Sequence, residues 1–92
     1  MGLIVGSFGW KLAALIGLPL KIIIHVYPEG KFYAAVIPAL PNIFGVDDNL
    51  DTLISNTCEA AMTVLTEDYH YMGDRLDYSV IQHKDDDDVL EV

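Results

Sequence analysis

The sequence predicts an α+β fold: a three-stranded antiparallel meander, a helix and a fourth strand (β-β-β-α-β), preceded by an apolar N-terminal arm. Three observations predict it. Two β-branched or aromatic runs, KIIIHVY and KFYAAVI, are separated only by Pro28, Glu29 and Gly30. Apolar residues from Leu50 to Leu65 recur at three- and four-residue spacing behind an acidic start. A last run, LDYSVIQ, alternates again after Gly73. The chain therefore divides into an arm over residues 1–20, an α+β domain over 21–82 and an acidic tail over 83–92.

The arm carries one charge, Lys11. A signal peptide needs a basic region ahead of its apolar stretch, and Lys11 falls in the middle. The length of a membrane span, about 20 apolar residues, is just reached, but Gly2, Gly6, Gly9, Gly17 and Pro19 interrupt it. Signal and anchor are thus the weaker readings. The punctuation fits a short helix over about 8–16, with Ser7 as its cap, Gly17 in the left-handed position and Pro19 barring continuation. Phe8, Leu12, Leu15 and Ile16 share one side, while Trp10, Ala13 and Ala14 make the other side apolar. This helix is therefore expected to be buried all round. Phe8, Trp10, Leu12, Leu15 and Ile16 are the expected oligomer interface, and Leu3 to Val5 adds a short edge strand. A myristoylation signal is excluded because Gly6 stands where Ser or Thr is required.

The meander follows. Lys21 to Tyr27 is a strand ending at the Pro28–Gly30 turn, and Lys31 to Ile37 pairs back on it. Phe32, Ala34 and Val36 point to one face, with Tyr33, Ala35 and Ile37 on the other. Neither face is polar, so both are expected to be covered. Pro38 and Pro41 stiffen the next turn, and Ile43 to Val46 makes a short third strand. The helix starts near Asn49, a favoured cap, with Asp47, Asp48 and Asp51 at its positive dipole end. Leu50, Leu53, Ile54, Thr57, Ala61, Val64 and Leu65 form its buried stripe. It ends between Asp68 and Met72, with Gly73 as the stop. Leu76 to Gln82 is the fourth strand. Asp85 to Asp88 repel one another in a solvated tail.

Composition bounds the function. Ninety-two residues make one domain, and a chain of this size buries only roughly 60–65% of its unfolded surface. With 52% hydrophobic residues it holds more apolar material than one small core needs, and the surplus faces a partner. A net charge of −9 excludes bare nucleic acid and favours a basic protein partner. The single cysteine, Cys58, excludes an internal disulfide, and the reading is a cytoplasmic protein.

Chemistry-bearing residues are sparse. A ribonuclease-H-type nuclease needs carboxylates converging on metal from strand centres, and these centres hold Ile23, Ile24, Ala34 and Ala35. Cys58 sits mid-helix beside the apolar stripe as a structural thiol, with no sign of an activating base. His25, His70 and His83 lack the spacing of metal ligands, and His25 reads as a half-buried strand residue. No catalytic residue, cofactor or metal site is expected.

The stretch from Lys21 to about Met72 resembles the N-terminal domain of HicB-like antitoxins. The resemblance rests on the Glu29-Gly30 turn, the Phe32-Tyr33-Ala34-Ala35-Val36-Ile37 strand and the Pro38-Ala39-Leu40-Pro41-Asn42 turn. The helix start Asp47-Asp48-Asn49-Leu50-Asp51, with Asn56 and Glu59-Ala60 beyond it, completes the pattern. It implies a partial ribonuclease-H-like fold, dimers or tetramers, and a small basic HicA-like toxin that cleaves mRNA and whose active site the antitoxin covers. The stretch after Gly73 is too short and too acidic for the DNA-binding segment many members carry, so direct promoter contact is not expected. In this reading Tyr33, Phe44, Asp47, Asp48 and Asp51 meet the partner. The alternatives are a stand-alone acidic decoy of phage or prophage type, and an oligomerisation module built on the arm.

Overall fold

A computed structural model describes residues 2–83 of the chain; the expected Asp85–Asp88 tail lies outside them. The element order is β1 (Leu3–Ile4), α1 (Trp10–Leu15), β2 (Leu20–Glu29), β3 (Phe32–Val36), β4 (Phe44–Asp47), α2 (Leu50–Asp68) and β5 (Leu76–Gln82). The β-β-β-α-β expectation is met from β2 to β5, in one mixed sheet.

Strand β2 organises that sheet. Its second half pairs with β3 in antiparallel register, from His25 opposite Val36 to Glu29 opposite Phe32. Along the same edge, nearer its start, Leu20 and Lys21 pair in parallel with β1. The opposite edge takes β5 in parallel over seven residues, from Leu20–Leu76 to Val26–Gln82. Strand β4 continues the meander beyond β3, with Ala35 opposite Gly45. The strand runs two residues further than KIIIHVY suggests, through Pro28. Proline is tolerated there because its missing N–H would point to the β5 edge, where pairing has ended with the His83 amide on the Val26 carbonyl. The hairpin closes on Gly30 and Lys31. Gly30 has φ +67° and Lys31 does not share the positive φ, the pattern of a type II′ turn.

Helix α2 covers one face only. Asn49 caps it by accepting from the Thr52 amide at 3.0 Å, as expected. Leu53, Thr57, Ala61 and Leu65 are buried against Leu20, Ile22, Ile24, Val26, Ala35 and Ile37. Each aliphatic side chain so buried contributes about 1.5–3 kcal/mol. Thr57 hides its hydroxyl by donating to the Leu53 carbonyl. The helix approaches β4 closely because Gly45 lacks a Cβ: one there would lie 3.0 Å from Leu53 Cδ1.

The edge strand expected over Leu3 to Val5 is present as β1, so that β1, α1 and β2 form a short parallel β-α-β unit with the Val5 amide bonded to the Lys21 carbonyl. Three expectations are corrected. Ser7 does not cap α1; its hydroxyl donates back to the Ile4 carbonyl, and Gly9 in the left-handed region precedes the helix. The helix is not buried all round. Trp10, Ala13 and Ala14 are buried, and Phe8, Leu12, Leu15 and Ile16 are exposed, because α1 packs with one side against β1, β2 and Tyr69, and none of the described residues covers the other. Finally, Gly73 does not stop α2. The helix ends at Asp68, within the expected range, and His70 turns the chain at φ +56° so that the Tyr71 amide returns to the Leu65 carbonyl at 2.9 Å.

Gly73 has another task. A Cβ there would collide with the Tyr71 ring, whose hydroxyl donates to the Arg75 carbonyl. Gly17 does take the left-handed position after α1, at φ +80°. The amides of Gly17 and Leu18 close the helix on Ala14 and Ala13, and the Met72 amide also reaches the Ala14 carbonyl.

A non-glycine residue in the left-handed region costs about 1 kcal/mol or more. His70→Gly is therefore expected to raise stability by about 1 kcal/mol, read as a higher denaturation midpoint with an unchanged far-ultraviolet spectrum. An unchanged or lower midpoint would mean that the imidazole makes a compensating contact.

Candidate functional site

Two surfaces follow from a sheet covered on one side. The first is the open face. Its rows come from the strand registers: Ile81, His25, Val36 and Phe44 in one row, and Tyr27, Ala34 and Val46 in the next. Phe32 and Ile23 extend it along the strands. Ala34 is buried among its neighbours, whereas Phe44 is 67% exposed. Among the described residues the expected cover on both sides of β3 is thus present on the Tyr33–Ala35–Ile37 side and absent on the other, because α2 crosses only one face.

A cluster of rings marks one edge of that face. His25 Nδ1 and His83 Nε2 lie 3.1 Å apart. One ring donates and the other accepts, so the bond needs at least one neutral imidazole. Tyr27 stacks on His83 with centroids 4.2 Å apart and planes 9° from parallel. Beside it, Val5, Gly6, Ile23, His25, Ile37, Pro38 and Ala39 line a cleft of about 260 Å³, near where β1 and β3 share the same edge of β2. The sequence reading missed this meeting of His25 and His83, which lie 58 positions apart. Only the parallel β2–β5 register, with His25 opposite Ile81, brings them together.

The second surface is acidic and lies at the β4–α2 corner. The Asp47 carboxylate accepts from the Asn49 amide at 2.8 Å, while Asp48 and Asp51 are exposed. Asp51 also borders a cleft of about 370 Å³ with Ile54, Ser55, Cys58 and Tyr78. Among the described residues one ion pair forms, Arg75 with Asp77 at 3.4 Å, so no cation answers the corner acids.

The expected partner residues fall on different faces. Tyr33 is half-buried on the helix side, across from Asp47 in register, and Asp48 and Asp51 flank it at the corner. Phe44 points to the open face. Among the expected oligomer residues, Phe8, Leu12, Leu15 and Ile16 are exposed, whereas Trp10 is buried with its ring 4.8 Å from that of Tyr69 and unavailable to a partner.

The strand centres named in the sequence carry apolar side chains in the structure as well. Ile24 and Ala35 lie beneath α2, and Ile23 and Ala34 face the open side. Among the described residues no group of three or more His, Cys, Asp and Glu side chains is placed to hold a metal ion, and no helix is long and apolar enough to cross a membrane. Compared with protein-family models, with curated proteins and with solved structures, the chain matches none.

Cys58 is half-buried in the α2 cleft, and burial pushes its thiol above the ordinary range. Since the thiolate is the reactive form, a thiol reagent at neutral pH is expected to label Cys58 several-fold more slowly in the native protein than in denaturant. Equal rates would show the site open and the thiol unperturbed.

Proposed function

We propose that this chain is a binding protein of the HicB-like antitoxin type, which neutralises a small basic RNA-cleaving toxin by covering its active site. The observation that carries the reading is the unpaired acid at the β4–α2 corner, Asp47, Asp48 and Asp51, in a chain of net charge −9. A cationic partner gains from such a corner twice: the field speeds encounter, and complementary charges discriminate against wrong partners. The β-β-β-α-β order supports the reading, since it is the arrangement the resemblance implies. Tyr33 and the mouth of the Cys58–Tyr78 cleft supply apolar contact beside the acids.

The exposed side of α1 favours a second reading, an oligomerisation module. Phe8, Leu12, Leu15 and Ile16 form an apolar strip continued by Leu18 and Met72, which suits self-association without any toxin.

The test uses the full chain and the product of a small basic reading frame neighbouring its gene. Tight binding that weakens as salt rises, together with suppression of that product's RNA cleavage, is the expected result. Asp48→Asn combined with Asp51→Asn is expected to weaken binding about tenfold or more, mostly through slower association. Metal-dependent RNA cleavage by the chain alone would overturn the binding reading, and salt-insensitive binding would remove the corner from it.

A further inference from the structure

We propose that His25 and His83 form a two-imidazole site for a divalent transition-metal ion such as Zn²⁺, where β2 and β5 end their pairing. The inference is independent of the toxin-binding reading, whose acids lie at the β4–α2 corner.

The fold makes the pair. His25 stands opposite Ile81 in the parallel β2–β5 register, and the His83 amide is bonded to the Val26 carbonyl at 2.8 Å. Residues two apart on an extended chain share a face, so His83 follows Ile81 onto the face that carries His25. The rings meet with His25 Nδ1 3.1 Å from His83 Nε2, centroids 5.3 Å apart and planes 23° from parallel. Tyr27, two residues on from His25, stacks on His83 with centroids 4.2 Å apart and limits the swing of that ring. Both histidines are half-buried, and His25 also borders the cleft of about 260 Å³, which leaves room for further ligands on the ion. Spacing in the sequence predicts no such site, because 58 positions separate the two residues.

Distance and chemistry select the ion. With zinc–nitrogen bonds of about 2.0–2.1 Å, two nitrogens 3.1 Å apart subtend roughly 95–102° at the metal. That falls between the about 90° of a square plane and the about 109° of a tetrahedron, so the strands need not move. The ion sits beside the line joining the nitrogens, and the broad χ2 torsion of histidine lets both lone pairs turn to it. In the hydrogen bond, one facing nitrogen carries a proton. When a metal ion takes its place, that neutral ring changes tautomer: the proton ends on its outer nitrogen, and both facing nitrogens hold lone pairs. Among the described residues these two imidazoles are the whole donor set, so the ion's other positions are open to water or an added ligand. Imidazole nitrogen favours Zn²⁺ and Ni²⁺, whereas Mg²⁺ and Ca²⁺ take oxygen ligands. A net charge of −9 draws divalent cations of every kind to this chain, and the imidazoles decide which of them is held here.

Carboxylates elsewhere in the chain also attract metal ions, so the test must read the rings themselves. The full chain, labelled with nitrogen-15, is titrated with Zn²⁺ while the ring nitrogens of its three histidines are followed by NMR. Saturable shifts at His25 Nδ1 and His83 Nε2 with the same midpoint, and none at His70, are the expected result. Ca²⁺ in about tenfold excess is expected to leave those shifts in place, since it seeks oxygen. His25→Ala and His83→Ala are each expected to weaken Zn²⁺ binding about a hundredfold, because a single donor then replaces a chelating pair. Cys58→Ser is expected to bind as wild type does. No shift at either ring up to about 1 mM Zn²⁺, an equal shift at His70, reversal by Ca²⁺, or wild-type affinity in either histidine variant overturns the proposal. The ring shifts are read on the wild-type chain, so they decide the matter even if a variant fails to fold.

Discussion

The rest of the molecule depends on β2 having both of its edges occupied. Three strands, β1, β3 and β5, hydrogen-bond to it, two in parallel and one antiparallel. Leu20, Ile22, Ile24 and Val26 are wholly buried on one side, while Lys21, Ile23 and His25 on the other are only half-buried. An interior strand of this kind must satisfy every backbone group through its neighbours. The β1-α1 unit and β5 are therefore structural requirements of β2. Losing either would bare part of an edge that now pairs.

A sheet with one helical layer is inherently two-sided, and that asymmetry organises the functional reading. The helix side concentrates unpaired carboxylates around the start of α2, where the helix dipole tolerates them and where an external cation finds them uncompensated. Among the described residues the other side carries Ile23, Val36, Phe44 and Val46 with no helix over it. Tyr33 and Phe44, which sequence places eleven positions apart in one loop-rich stretch, end on opposite sides because β3 and β4 alternate independently. The α1 strip, Phe8 with Leu12, Leu15 and Ile16, is a third and smaller apolar surface, raised on a helix whose buried side is anchored by Trp10 against Tyr69.

Local chemistry made much of the fold legible in the residues themselves. Leu76 to Gln82 alternates and is the observed strand; Asn49 is a cap because its amide oxygen reaches the Thr52 amide three residues on; Gly17 takes positive φ because the chain must leave α1 sharply. Each depends on residues within a turn or two, so the pattern is complete in one stretch of chain. The errors arose where a distant element decided the outcome. Gly73 looked like a helix stop and is instead small because the Tyr71 ring lies against it. Ser7 looked like a cap, and the chain's return to β2 put Gly9 there instead. The apolar α1 looked buried on every side, but burial is set by what packs against a helix, and β1, β2 and Tyr69 all lie on one side of it.

By itself, then, the sequence determined the α+β class, the order of the strands and helix and the acidic corner, since these are matters of composition and short-range periodicity. Only the tertiary structure decided which face of the sheet α2 covers, that β1 and β5 both join β2, and that His25 meets His83. Those outcomes depend on the register between strands far apart in the chain and on the single face α2 crosses, and no local pattern encodes either.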